Sequence, residues 1–322
     1  MGEFYLPPLT TLLNTYMHYL ILTPDGVGST ILQRLITMTL YLENHDVMNT
    51  HELTNGLRLE NAVAIKDFDL GYSQSLTEIA NILQDSQTQT SLVSRLAKYH
   101  LDARKDPAKD CQDFYKLLNK HFEKKIMCVR ENIFEYAMSW SIRDRSGILN
   151  VYHKQDREKV SRVEEVDEEY FINRCKKYVE YIEWMEEHFP DVEKISYEDT
   201  VKKSDEMMHK ITGYPDTFKY KFGKPLSFML SSEHDFLNRT KEINLSFDEV
   251  KALAKYRITC NEMVDRKIIM GIPLKNTTLA DKKKQIKNFN HCLDKFYKFA
   301  KNYNWIDQSK ATYDFWNEQH LC

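Results

Sequence analysis

Glycine and proline are scarce in this chain, 9 and 8 among 322 residues. That scarcity argues against disorder, collagen-like repeats and turn-dense all-β folds. The six cysteines (Cys111, Cys128, Cys175, Cys260, Cys292 and Cys322) are scattered, and none forms a CxxC or a Cys/His metal-ligand spacing. They read as reduced thiols of a cytosol-like compartment, not as a disulfide framework. No apolar run is long enough to span a bilayer. The amino terminus lacks the basic, apolar and small-residue succession of a secretory signal. The net charge is only −3, so no global field calls for nucleic acid or an anionic membrane surface. HExxH, nucleophile-elbow and metal-ligand patterns are absent, as are internal repeats. A cytoplasmic protein with no membrane span, no nucleic-acid partner and no metal is the resulting expectation.

What is present is apolar and aromatic material, 42% and 12% of the chain, enough for a substantial core. The length suits one large α/β domain or a medium domain with an appendage. Residues 19–23 (YLILT) and 126–129 read as buried strands, each followed by a loop and a helix. Further strands are expected near 46–49, 62–68 and 192–197, and helices at 75–83, 90–99, 111–121, 133–142 and 170–188. Residues 152–169 are dense in mixed charge and read as a connector or a loop beside a cleft. A loop and helix follow at 198–212. Alternation of this kind with long crossovers calls for a parallel sheet flanked by helices. Beyond about residue 215 strand signals fade, and 247–270 and 279–303 read as helices. The expectation is a three-layer α/β/α domain over 1–214 with a central parallel sheet, and a mainly helical region over 215–322.

Two stretches carry the chemistry, HYLILTPDGVGSTILQRLI at 18–36 and KKIMCVRENIFEYAMSWSIRDR at 124–145. A strand that feeds a Gly-containing loop and a helix N-terminus presents unpaired N–H groups and a favourable dipole to an anion. In DGVGST, Gly26 and Gly28 let the backbone approach closely around Val27, while Ser29 and Thr30 add hydroxyls. The same residues also fit a simple turn with a hydroxyl cap. The Lys of GxxxxGK[ST] is absent, which counts against a Walker-type NTPase. In the second stretch Arg130 ends a strand and Ser139 lies in the next helix, so a guanidinium and a hydroxyl could converge on a phosphate monoester. Two such sites suggest a nucleotide held by phosphates at both ends, and transfer of a sulfuryl or phosphoryl group.

With YED at residues 197–199, this order of motifs resembles the sulfotransferase family, which uses 3′-phosphoadenosine 5′-phosphosulfate (PAPS) as donor. The resemblance covers roughly residues 18–214 and implies a P-loop-like arrangement of the parallel sheet. It implies that Gly28, Ser29 and Thr30 grip the 5′-phosphosulfate, that Arg130 and Ser139 grip the 3′-phosphate, and that Tyr197 packs near the adenine. The product would be adenosine 3′,5′-bisphosphate (PAP). The segment HDVMNTHELTN resembles the region where family members place a catalytic base, and implies Glu52 in that role with His51 in reserve. The acceptor would be a hydroxyl, on a carbohydrate or another extended molecule.

The chain departs from the family pattern twice. Gly26, beside acidic Asp25, stands where the family's loop carries Lys or Arg, so a cation must come from Arg34 or another loop. Arg130 and Ser139 are nine positions apart rather than eight, which puts Glu131 at the place usually held by Arg. These departures motivate a second reading, an inactive sulfotransferase-like binding or assembly module, oligomeric and conceivably part of a phage virion. A nucleotide kinase acting on ATP with magnesium is a third. The lysines at 282–284 read as a solvated helix face.

Overall fold

The chain is described from a computed structural model over residues 16–43, 47–50, 57–60, 69–70, 91–98, 108–148, 154–214 and 279–303. Strand β1 is Tyr19–Thr23, buried at every position, as an apolar run at the centre of a sheet must be. It leads into helix α1, Ser29–Leu42, whose Leu32, Leu35, Ile36 and Leu40 repeat at helical spacing and are buried. Three short strands follow, β2 at Val47–Thr50, β3 at Leu57–Glu60 and β4 at Asp69–Leu70. The next described elements are β5, Ser91–Ala97, helix α2, Ala108–His121, and β6, Lys124–Val129. Then come helices α3, Ile133–Ser146, α4, Lys154–Ser161, and α5, Glu168–His188. Strand β7 is Glu193–Ser196, followed by α6, Tyr197–Lys202, and α7, Ser204–Thr212. Helices α8, Leu279–Gln285, and α9, Phe289–Ala300, complete the description.

The sheet order is β4-β3-β2-β5-β1-β6-β7. Parallel pairings join β2 to β5, β5 to β1, β1 to β6 and β6 to β7, and antiparallel β3 and β4 extend one edge. Helix α1 packs on α6 and α7, whereas α5 packs on α3 and α9. Right-handed crossovers that run from β1 one way and from β5 and β6 the other put these groups on opposite faces. The result is an α/β fold compatible with three layers. At the carboxyl ends of neighbouring β1 and β6 the chain departs to opposite faces, which opens the kind of crevice where α/β sheets bind ligands.

The caps follow from sequence. Asn132 accepts from the Glu135 N–H and Gly147 closes α3 in the left-handed region. Asp167 accepts from the N–H groups of Glu169 and Tyr170 at the start of α5, satisfying donors that a helix leaves open. The buried face of α5 is Phe171, Cys175, Tyr178, Val179, Ile182 and Met185. Phe134 of α3 meets Phe171 and also Phe289 and Phe296 of α9, so residues 289–300 share the core of the sheet's helical layer.

Several expectations are corrected. Residues 90–99 were expected to be helical, and 91–97 are instead the central strand β5, buried throughout. Leu92, Val93, Leu96 and Ala97 fall on a helical stripe, and a strand covered on both faces lacks the alternation that would distinguish it. The single helix expected over 279–303 breaks at residues 286–288 into α8 and α9. The connector at 152–169 contains α4. Tyr197 opens α6 rather than ending β7, because Ser196 turns its hydroxyl to the Asp199 N–H as an N-cap. Expected elements at 62–68, 75–83 and 247–270 lie outside the described residues.

Candidate anion-binding site

The turn from β1 to α1 holds Gly26 and Gly28 at φ of +77° and +85°, a region that L side chains avoid. Space confirms the need for glycine. A Cβ at Gly28 would stand 2.2 Å from Cδ2 of Tyr197, and one at Gly26 would stand 2.4 Å from Nε1 of Trp140. Two rings therefore clamp the loop. Trp140 donates its Nε1–H to the Asp25 carbonyl at 3.1 Å. Val27 is fully buried, backbone included, and its carbonyl accepts from the Cys128 thiol at 3.8 Å. The Gly28 carbonyl accepts from Ile31 and Leu32, which starts α1 and directs its first-turn N–H groups toward the crevice.

Arg130 follows β6 directly. The Tyr178 hydroxyl pins its backbone by accepting from the Arg130 N–H and donating to the Arg130 carbonyl, both at 2.8 Å. Its guanidinium lies 4.5 Å from the centre of the Tyr197 ring and pairs with Glu135 at 3.4 Å and Glu198 at 3.5 Å. Glu198 also accepts from the Glu131 N–H. Arg130 turns inward and Glu131 is exposed. Burial opposes the Arg130 charge, but Glu135 and Glu198, with Tyr197 and Tyr178, outweigh it and hold the guanidinium above its ordinary value.

Ser139 reaches the same cluster through a residue that sequence had assigned to solvent. Lys282 of α8 is 2% exposed and donates to Ser139 Oγ at 2.7 Å and to Glu135 Oε1 at 3.2 Å. The expectation of a solvated face fails at Lys282, which is buried on the same side as Ile286, and holds at Lys283 and Lys284, which are exposed. Burial pushes the Lys282 ammonium down, Glu135 pulls it up, and Arg130 and Arg143 push it down again. The contacts close a ring: Gly28, Tyr197, Arg130, Glu135, Lys282, Ser139, its neighbour Trp140, and Gly26. Thus Gly26, Gly28, Arg130, Ser139 and Tyr197 come together, with Ser29 and Thr30 adjoining. Tyr197 serves as a spacer between the loop and Arg130.

A further cation lies under the loop. Arg95 of β5 is in register with Ile21 and is 4% exposed. Its Nη1 donates to Ser29 Oγ at 3.3 Å and closely to Thr30 Oγ1. Cys128 reports both guanidiniums. Burial pushes its thiol up to about 12 and Glu198 adds to that, while Arg95 and Arg130 pull the other way. Sequence reasoning missed Arg95 because it sat in a segment read as a helix. The usable signal was a lone Arg inside the apolar run SLVSRLA. The side chain of Arg34, and Glu52 and His51 entirely, lie outside the described residues.

No protein-family model matches the chain, and no curated protein shows significant sequence similarity to it. Among the described residues no group of His, Cys, Asp and Glu is placed to hold a metal ion, and no helix is long and apolar enough to cross a membrane.

Proposed function

We propose that the chain is a sulfotransferase that takes its sulfuryl group from PAPS on a P-loop-like framework, with residues 279–303 as part of a helical extension that completes the donor site. The observation that carries this reading is the closed ring joining the loop at 26–30 to Arg130 and Ser139 at the sheet's switch point. A nucleotide with anions at both ends fits two separate places that carry cations, Arg95 under the loop and Arg130 with Lys282 beyond Tyr197. The donor supplies an activated sulfuryl group. The residues of the chain hold its two ends: loop N–H groups and the Ser29 and Thr30 hydroxyls at the 5′ end, Arg130, Ser139 and Lys282 at the 3′ end. Glu52, with His51 in reserve, is the proposed base that takes the acceptor's hydroxyl proton. The acceptor is a hydroxyl compound, a carbohydrate or another extended molecule, and the setting is the cytoplasm.

A second reading has its own support. Glu135 and Glu198 already take up Arg130, so the second centre is close to charge-balanced. That suits a retired sulfotransferase fold serving in binding or assembly, including in a virion. Calorimetric titration with adenosine 3′,5′-bisphosphate separates the two. Sulfotransferase function predicts binding that Ser139→Ala weakens by about tenfold, the loss of one hydrogen bond to a charged group. A folded wild type that takes up no nucleotide leaves the assembly reading in place.

A further inference from the structure

Resting on the proposed nucleotide site, we infer that Glu198 is the resident occupant of the second anion position. The 3′-phosphate of an incoming nucleotide displaces its carboxylate, and the return of that carboxylate limits how tightly the nucleotide is held. The contacts of Glu198 are those an external anion would make. Its Oε1 lies 3.5 Å from Nε of Arg130, and its Oε2 accepts from the Glu131 N–H at 3.2 Å. A guanidinium edge takes carboxylate and phosphate oxygens alike. The carboxylate fits this place poorly. At 3.5 Å the ion pair is longer than a charge-assisted hydrogen bond, and Arg130 Nε and Glu198 Oε1 are both buried with no hydrogen-bond partner. A buried donor left in that state bears a desolvation cost that a well-aligned acceptor would recover. A phosphate oxygen at about 2.8 Å from Nε is such an acceptor.

Charge balance makes one carboxylate give way. The cluster sets Arg130 and Lys282 against Glu135 and Glu198, and a phosphate monoester brings about −1.5 to −2 more. Glu135 is the anchored member, since it meets Arg130 at 3.4 Å and Lys282 at 3.2 Å. Among the described residues Glu198 pairs with Arg130 alone. Its hydrogen bond to the Glu131 N–H lies at the surface, so the side chain has water to turn into. The backbone of α6 need not move: Ser196 caps it by accepting from the Asp199 N–H at 3.0 Å. Tyr197 also stays wedged between Gly28 and Arg130. The nucleotide product keeps its 3′-phosphate after the sulfuryl group has left, so the returning carboxylate also favours product release.

The test is calorimetric titration of the full chain with adenosine 3′,5′-bisphosphate and with adenosine 5′-monophosphate, for wild type, Glu198→Gln and Glu198→Ala. Circular dichroism and thermal melts accompany each variant. Glu198→Gln keeps the shape and an acceptor for the Glu131 N–H and removes the charge. Glu198→Ala carries the test if Glu198→Gln does not fold. The expected result is about tenfold or greater tightening for the bisphosphate, with the monophosphate unchanged within about twofold. Unchanged or weakened bisphosphate binding by a folded variant overturns the inference and leaves the nucleotide site standing. Equal tightening for both nucleotides does the same, because it marks a general charge effect in place of displacement at the 3′ end. Absence of binding by wild type and both variants overturns the nucleotide site and this inference together.

Discussion

At the scale of single residues, the loop is defined by what cannot be added to it. Gly28→Ala would force a Cβ into the left-handed region and to 2.2 Å from Tyr197. The backbone and overpacking penalties together predict a loss of about 2–5 kcal/mol, measurable by urea denaturation. Gly147→Ala, also at positive φ but with nothing within 4 Å of the added Cβ, should lose only the backbone share, about 1–2 kcal/mol. Lys282 makes the complementary case. Lys282→Ala leaves Glu135 facing Arg130 with one cation fewer in a buried setting and should lose about 3–5 kcal/mol, whereas Lys283→Ala on the exposed face of the same turn should stay within about 0.5 kcal/mol. Equal losses in the two lysine variants would count against the buried assignment. The glycines, Arg130, Ser139 and Tyr197 were legible as a list because each stands in a local motif. Their joining through Glu135 and Lys282 was not, since 147 positions separate that pair and only tertiary packing brings them together.

At the scale of elements, the amino-terminal end of β1 holds a titrating pair at the opposite end of the strand from the glycine loop. His18 stacks on His121 at 5.1 Å, accepts from the Leu92 N–H at Nδ1, and gives its own backbone N–H to Glu123. Burial lowers both imidazoles, and His18 helps push His121 down to about 4 against the pull of Glu123. An unfolded histidine takes its proton near 6.5. Between that pH and about 4 the unfolded state therefore binds more protons, and stability falls as the solution is acidified. His121 alone accounts for roughly 3 kcal/mol across that window. Urea denaturation at pH 7 and at pH 4.5 checks this, with His121→Gln as the variant that should flatten the dependence. An unchanged slope in that variant would assign the acid sensitivity elsewhere. Elements with a clear signature were readable in advance: β1 and β6 as short apolar runs, α5 as a long amphipathic stripe with Pro190 after it. Strand β5 was not, because full burial on both faces erased its alternation and left a stripe that mimics a helix.

At the scale of the molecule, the account is one of convergence. Strands β1, β5, β6 and β7 each deliver one part, in turn the glycine loop, Arg95, Arg130 and Tyr197, to the carboxyl side of a single sheet. Helix α8, far along the chain, adds Lys282 to the same place. The α/β class and the flanking helices followed from the alternation of patterns along the sequence. The participation of residues 279–285 in the cluster did not, since a lysine-rich turn looks alike whether it faces water or a buried carboxylate. The central claim is that two separate cationic centres grip the two ends of one nucleotide. The most direct test is the ratio of wild-type affinities for adenosine 3′,5′-bisphosphate and adenosine 5′-monophosphate, measured by calorimetry in one buffer. Charge-assisted bonds from Arg130 and Lys282 to the 3′-phosphate predict a preference for the bisphosphate of about 100-fold or more. Equal affinities, or none for either nucleotide, would contradict the account.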